Sequence, residues 1–382
     1  MANRIAFVNL QLGNELLGLT RAIAGQARAS RESGFPIDFW VVNPSREGRV
    51  DGIHYARFES SSLGDGMTRL FRSRLLSRAT ALNGYDVALL RYPMAIDLDP
   101  LAFRRSSRCR IVTVHHTKEV EEILSWRRGP GSLARAMLER YNGPRLLSRV
   151  DGLAAVTDEI RRYELGRAGR SLPSRTISNG IDVSRVPLTG FLPFWGDELK
   201  LLFIASSHAP WHGTERLLAS VRRYRGPVRI LLHMVGDATG TRAGARQVEG
   251  PLTIINHGTL RGEALEAIFR DSMLAVSSLA MFRIGLVEGC VLKTREYVAR
   301  GLPFVYGYDD VDLTNDLPFC MNVGSSDAPF DVEELIRFAS TLSDRPGVTE
   351  QMRAWAESHI DWRVKMRMYY DFAREVAEGS AS

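Results

Sequence analysis

Two carboxylates and an amine are spaced to share one ligand in the stretch Met281 to Tyr308, which reads MFRIGLVEGCVLKTREYVARGLPFVYGY. Glu288 and Glu296 stand eight positions apart, an E-x(7)-E spacing, with Lys293 between them. A helix that begins at Leu292 turns its unpaired N–H groups and its positive dipole end toward whatever lies in front of it, which suits a diphosphate. Glu288 then precedes that terminus and Glu296 sits just over one turn inside it. Acids so placed are poor phosphate ligands, but they accept hydrogen bonds from hydroxyls on either side of one. A nucleotide sugar has that layout: sugar, diphosphate, ribose. A bare pair of glutamates at this spacing also occurs on any amphipathic helix, so its context must carry the assignment.

The elements that would hold these residues alternate between strand-like and helical runs. RIAFVN, a helix through Ala22 to Arg31, IDFWVVN, a helix from Met67, DVALLRY, RIVTVHH, helices to Arg149 and DGLAAV follow one another, the rhythm of a parallel α/β layer. It restarts after the turn-rich SNGIDVSRVPLTGFLPFWGDE, with KLLFIASS, a helix from Leu217 to Arg223, VRILLHMVGD, LTIINHG, a helix from Glu263 to Arg270, MLAVSS, the glutamate-bearing helix and LPFVYGY. The Pro, Gly and Trp cluster between Pro187 and Gly196 reads as the linker. At 382 residues the chain exceeds what one core usually supports, so domains are expected over 1–190 and 191–360, followed by a C-terminal helix over 361–382. Parallel sheets of this kind bind ligands at the C-terminal ends of their strands.

Composition excludes several classes. The 45% hydrophobic and 25% charged content is that of a globular protein. No apolar run approaches about 18 residues, so no membrane span is expected. Met1 to Arg4 followed by IAFVNL does not read as a leader, and Cys109, Cys290 and Cys320 are too dispersed for a disulfide framework or zinc site, so the cytoplasm is the expected location. Charge is uneven, +10 over residues 1–190 and −4 over 191–382. In the basic half, Met67 to Leu82 and Ser132 to Arg149 mix Leu, Met and Phe with Arg at helical spacing; such helices either face their apolar stripe to the core or touch anionic lipid. Peripheral contact with the inner face of the plasma membrane is one of these two readings of this half. Nucleic acid is not an expected partner, because the basic residues lack interleaved aromatics and a recognisable motif.

The run L-K-x-R-E-Y-x-A-x-G-L-P-F-V that starts at Leu292 resembles the donor-binding segment of retaining glycosyltransferases of family 4, of bacterial polysaccharide type. SNGIDV at Ser178 to Val183, VGD at Val235 to Asp237 and HGTL at His257 to Leu260 resemble further elements of that family, in its order. The resemblance implies a GT-B fold: α/β, two Rossmann-like parallel-sheet domains facing a central cleft, the last helix returning to the first domain. It implies that Glu288 contacts the transferred sugar and Glu296 the ribose, with Gly258 and Thr259 near the base. His116, which ends RIVTVH and opens H-T, resembles the family's strand-end histidine beside the sugar; His115 points to the opposite face of an extended strand. NLQLGN resembles the first strand-to-helix loop, whose Gly13 and Asn14 would wall an acceptor site.

One stretch departs from the family pattern. Many members carry an Arg and a Lys-Gly pair that hold the diphosphate, where this chain reads FIASSHAPWHGTERLL. Ser206 or Ser207 stands near the Arg place and His212-Gly213 replaces Lys-Gly. These supply less fixed charge, so compensation is expected from Lys293 first, then Arg283 and Arg295. Asp310-Val311-Asp312 matches a metal-binding D-x-D but follows the last strand as a surface turn would, so neither a metal nor another cofactor is expected. The resemblance implies a retaining, metal-independent hexosyltransferase that moves a sugar from a nucleoside diphosphate donor to a glycan or lipid-linked acceptor. A nucleotide-sugar epimerase or phosphorylase on the same fold and a catalytically inactive scaffold are the alternatives.

Overall fold

The computed structural model describes residues 4–10, 17–43, 47–57, 82–93, 109–126, 129–205, 209–237, 242–314 and 316–379. They form two compact units, residues 1–182 with 362–382, and residues 183–361.

The first unit holds a sheet of β1 (Ile5–Leu10), β2 (Ile37–Asn43), β3 (Gly48–Val50), β4 (Ile53–Arg57), β5 (Val87–Arg91), β6 (Arg110–His115), β7 (Gly152–Ala155) and β8 (Ser174–Thr176) in the order β3-β4-β2-β1-β5-β6-β7-β8. All neighbours are parallel except β3 with β4. Strands β1, β5, β6 and β7 are nearly continuous apolar runs buried along their length, as central parallel strands covered on both faces must be. The order reverses between β1 and β5, so the C-terminal ends of β1, β5 and β6 surround the crevice where such sheets take ligands. Helices α1 (Leu17–Glu32), α2 (Glu119–Trp126), α3 (Pro130–Leu147) and α4 (Asp158–Ala168) make the crossovers. Thr157 caps α4 by accepting from the Ile160 N–H. The helix expected from Met67 lies outside the described residues.

The second unit repeats the design. Its strands are β9 (Glu198–Ala205), β10 (Arg229–Gly236), β11 (Arg246–Glu249), β12 (Leu252–Gly258), β13 (Leu274–Val276), β14 (Glu288–Gly289), β15 (Phe304–Tyr306), β16 (Asp309–Asp310) and β17 (Cys320–Asn322). Seven of them form a sheet in the order β11-β12-β10-β9-β13-β15-β17, while β14 and β16 pair by themselves. Helices α5 (Thr214–Arg223), α6 (Glu263–Arg270), α7 (Leu292–Arg300), α8 (Val332–Ser343) and α9 (Val348–His359) accompany them. The reversal here falls between β9 and β13.

The division between units lies at Asp182–Val183, ahead of the Pro187–Gly196 cluster. That cluster docks on the second unit: the Thr189 and Gly190 N–H groups donate to the Arg300 carbonyl, Leu192 N–H to Ser272 O, and Phe194 N–H to Ser343 Oγ. Helix α10 (Trp362–Glu378) belongs to the first unit, where its N–H at Trp362 donates to Ile181 O at 2.9 Å. Its apolar face, Trp362, Met366, Tyr369, Phe372, Ala373 and Val376, joins the core of β1, β2, β5 and β6. Tyr369 meets Phe7 edge-on at 5.3 Å.

Candidate active site

Strand β9 ends at Ala205, and a 3-10 turn, Pro210–His212, stands before α5. Gly213 joins the turn to the helix with φ +66, and a Cβ there would lie 2.9 Å from Leu279 Cβ, so glycine is required on two counts. This packs the His212 ring beside the segment after β13, with Nδ1 3.4 Å from Ser278 Oγ. Lys293, on the first turn of α7, reaches the same point: its Nζ lies 3.4 Å from His212 Nδ1, 3.1 Å from Ile204 O and 4.7 Å from the Phe203 ring centre. No side chain caps α7 at Val291 or α5 at Gly213. Desolvation pushes the Lys293 ammonium down to about 7. Among the described residues the ammonium bonds no carboxylate, so a packed cation and two helix ends without side-chain caps stand beside an imidazole.

The other two cations expected to compensate are already paired with carboxylates. Arg295 is fully buried and forks onto Asp310 and Asp312 at 2.6 Å each, with Cys290 Sγ at 3.0 Å. Asp310 and Asp312 are thereby explained as its counter-ions. Arg283 is held by Asp327 at 2.6 Å and Glu215 at 3.0 Å. Both guanidiniums are matched by carboxylates, whereas Lys293 has no carboxylate partner among the described residues.

Glu296 follows Lys293 on α7, and Arg300 holds its Oε1 at 2.9 and 3.0 Å. Arg300 is itself fixed by a fork onto Glu266 at 2.7 and 2.8 Å and by stacking over Phe269. The Glu296 side chain keeps 27% of its surface open, so an oriented carboxylate meets solvent. Glu288 lies on β14, half-buried and in register with Asp309; a Cβ at the next residue, Gly289, would sit 2.5 Å from the Tyr308 ring. Thr294 ties α7 to the sheet through Ser277 Oγ and Tyr308 OH, each at 2.7 Å.

Gly258 ends β12 at φ +65, its N–H held by Asn256 Oδ1 at 3.0 Å, and Thr259 beyond it is exposed. These lie at the end of the same sheet but form no bond with the Lys293 group. In the first unit, His116 follows directly after β6 and is half-buried; desolvation, with Arg91 and His115 nearby, holds its imidazole well below the usual range and therefore neutral. Gly13, Asn14, Ser206 and Ser207 lie outside the described residues. Sequence reasoning missed Ser278, Phe203 and Arg300, which support the site. The serine pair after LAV was visible in the sequence, but nothing in it tied Ser278 to His212.

Comparison with known proteins bears on the whole chain. Residues 18–185 match the family model described as Glycosyltransferase Family 4. No curated protein sequence matches significantly. Among solved structures, a glycosyltransferase from Rickettsia africae superposes with a TM-score of 0.61 at 12% identity, over 98% of this chain and 98% of that one. Sucrose-phosphate synthase from Thermosynechococcus elongatus gives 0.62 at 13%, over 99% and 100%. HepE from Anabaena, solved with UDP and glucose, gives 0.60 at 14%, over 97% and 98%. At such identities the likeness establishes the fold, and the family match falls on the first unit, away from the glutamate-bearing helix. The family match is thus confined to residues 18–185, while the fold shared over 97% or more of the chain is the GT-B fold of two Rossmann-like parallel-sheet units.

Proposed function

We propose that the protein is a retaining glycosyltransferase that moves a hexose from a nucleoside diphosphate donor to a hydroxyl of a glycan or lipid-linked acceptor, without a metal. The observation that carries the reading is the approach of Lys293 Nζ to His212 Nδ1, 3.4 Å apart ahead of the uncapped α7. A diphosphate there receives the helix N–H groups, the ammonium and the imidazole, and it restores to Lys293 the charge that desolvation disfavours. Those groups do the work that a bound cation does in other transferases. Glu296 accepts from the ribose hydroxyls and Glu288 from the sugar. In front-face substitution the donor phosphate leaves and one of its oxygens takes the acceptor proton, so the protein chiefly orients and stabilises charge. His116, neutral, donates or accepts a hydrogen bond at the sugar. Gly13 and Asn14 belong to the acceptor side. The nucleotide and glucose in HepE are of the class this reading requires.

The acceptor side adds a surface. On α3, Leu133, Met137 and Tyr141 are 51%, 60% and 65% exposed, four residues apart on one face. Arg135, Arg140 and Arg145 are exposed on the same helix, while its acid, Glu139, is buried. An apolar stripe flanked by cations alone fits an anionic bilayer, where a lipid-linked acceptor would lie.

A thermal-shift series with UDP, GDP, ADP and CMP and their sugar conjugates tests the donor site. One nucleotide should stabilise the protein by about 2.7 kcal/mol at a hundred times its dissociation constant and lose that effect in Glu296→Ala and Lys293→Ala. Silence to all of them sinks the reading. Product NMR then tests retention, since inversion at the anomeric carbon contradicts it. Cosedimentation with phosphatidylglycerol vesicles should fall when Leu133, Met137 and Tyr141 are changed to Ser, and wild-type protein that ignores such vesicles removes the membrane face.

A further inference from the structure

Behind His116 lies a closed box of ionisable groups that transfer chemistry does not use. His115 Nδ1 is 3.2 Å from Glu119 Oε1 and 3.8 Å from Glu164 Oε2, and these three residues are 0%, 3% and 0% exposed. Arg167 donates from Nη1 to both Glu164 oxygens, at 2.9 and 3.1 Å, and from Nη2 to Glu139 Oε1 at 2.5 Å. Tyr92 OH donates to the same Glu139 oxygen at 2.8 Å. Three buried carboxyls thus face one guanidinium, and among the described residues Glu119 Oε2 has no hydrogen-bond partner, only Arg167 Nη1 at 3.6 Å. Full ionisation would leave buried charge without compensation.

A divalent cation is the less fitting remedy. Arg167 already occupies both oxygens of Glu164, and His115 Nε2 is buried without the acceptor that a metal-bound histidine normally needs. A proton fits better. One carboxylate oxygen of Glu119, one of Glu164 and a ring nitrogen of His115 lie within 4.8 Å of one another, and a proton held between the two carboxyls lowers the buried negative charge.

We propose that Glu119 and Glu164 share one proton behind His116, clamping the end of β6 to α2 and α4 and so fixing where His116 stands. The inference rests on the catalytic reading of His116 and makes Glu119 and Glu164 positioning residues. His115 and His116 are consecutive at the strand end, so one ring locks into the box while the other faces away. The groups facing the pair are His115 and His116 on β6, Arg91 and Tyr92 at the end of β5, Glu122 on α2, Glu139 on α3, and Tyr163 and Arg167 on α4. Burial pushes the Glu119 carboxyl up to about 8 and raises that of Glu164, whereas His115 is pushed down to about 4 and stays neutral. A carboxyl raised in the folded state gives stability that is full below its ordinary value of 4.5 and lost as pH rises toward about 8.

Glu119→Gln and Glu119→Ala separate the proposal from a packing role. The wild-type melting temperature should fall between pH 5 and pH 8, and Glu119→Gln should flatten that fall. The His116 imidazole resonance should move with pH near 8 in the wild type and not in Glu119→Gln; this readout needs no turnover, so it stands even where sugar transfer fails. In turnover, Glu119→Ala should lower kcat on the order of 100-fold with KM for the donor little changed, and Glu119→Gln should restore most of it while removing the alkaline limb. Glu119→Gln behaving like Glu119→Ala, an unchanged pH slope, or a stoichiometric divalent metal in the purified protein overturns the proposal.

Discussion

Lys293 and Arg295 sit two residues apart on α7, yet their surroundings are opposite. Arg295 is enclosed with two aspartates at 2.6 Å each, so its charge is matched before any ligand arrives. Lys293 meets a carbonyl, an aromatic face and an imidazole, none of which carries a negative charge at neutral pH. The first cation holds α7 against β16; the second leaves an electrostatic demand at the helix end. The buried carboxyls around Arg167 show the same contrast with the sign reversed, three acids facing one guanidinium and 0–3% exposed. An incomplete ion pair therefore means a binding site only where the missing partner has somewhere to enter.

The contrast can be broken most forcefully at Arg295. Arg295→Met strands Asp310 and Asp312 in a buried site and should cost roughly 3–5 kcal/mol in urea unfolding, because breaking such a pair costs more than never having it. Arg295→Lys should recover only part, since an ammonium lacks the fork that meets both aspartates. Lys293→Met should do the reverse, leaving ligand-free stability at neutral pH unchanged or higher while removing the nucleotide-induced shift of about 2.7 kcal/mol. A Lys293→Met protein that unfolds as readily as Arg295→Met would end the comparison. A smaller effect sharpens it: nucleotide affinity measured by calorimetry should weaken by up to about tenfold per pH unit above 7 as Lys293 loses its proton, and Lys293→Met should flatten that slope. The folded state binds fewer protons at Lys293 than the unfolded chain between about 7 and 10.5, so this residue makes ligand-free stability rise with pH over that window. The smallest change is expected at His212→Ala, a loss of a few-fold in nucleotide affinity with the pH slope retained, in keeping with one hydrogen bond.

The parts legible in the sequence are those whose physics is local. Strands such as VALLR and RIVTVH are apolar at successive positions because both faces are covered, and α7 announced itself by a contiguous motif. The proposed diphosphate site was half legible: His212 marked the place of a missing lysine, but its approach to Lys293 across 81 positions depends on the sheet order that sets β9 beside β13. Arg295 was misjudged because an arginine inside a binding motif reads the same whether or not two aspartates wait beyond the next strand. Glu119 and Glu164 looked like ordinary helix acids, and only the tertiary packing that buries them shows otherwise. The Pro187–Gly196 cluster has linker composition, yet its N–H groups find carbonyls on the second unit, which composition does not encode.

Synthesis on the ribosome imposes an order that the two units do not share. Residues 1–182 emerge first, but the first unit still lacks α10, whose Trp362 closes on Gly25 and whose Tyr369 covers Phe7. All of 183–361 is made before that helix appears, so the later unit is complete in sequence before the earlier one. Until then Phe7, Phe39 and their neighbours lack their cover, and the nascent chain presents an apolar strip that a chaperone would recognise.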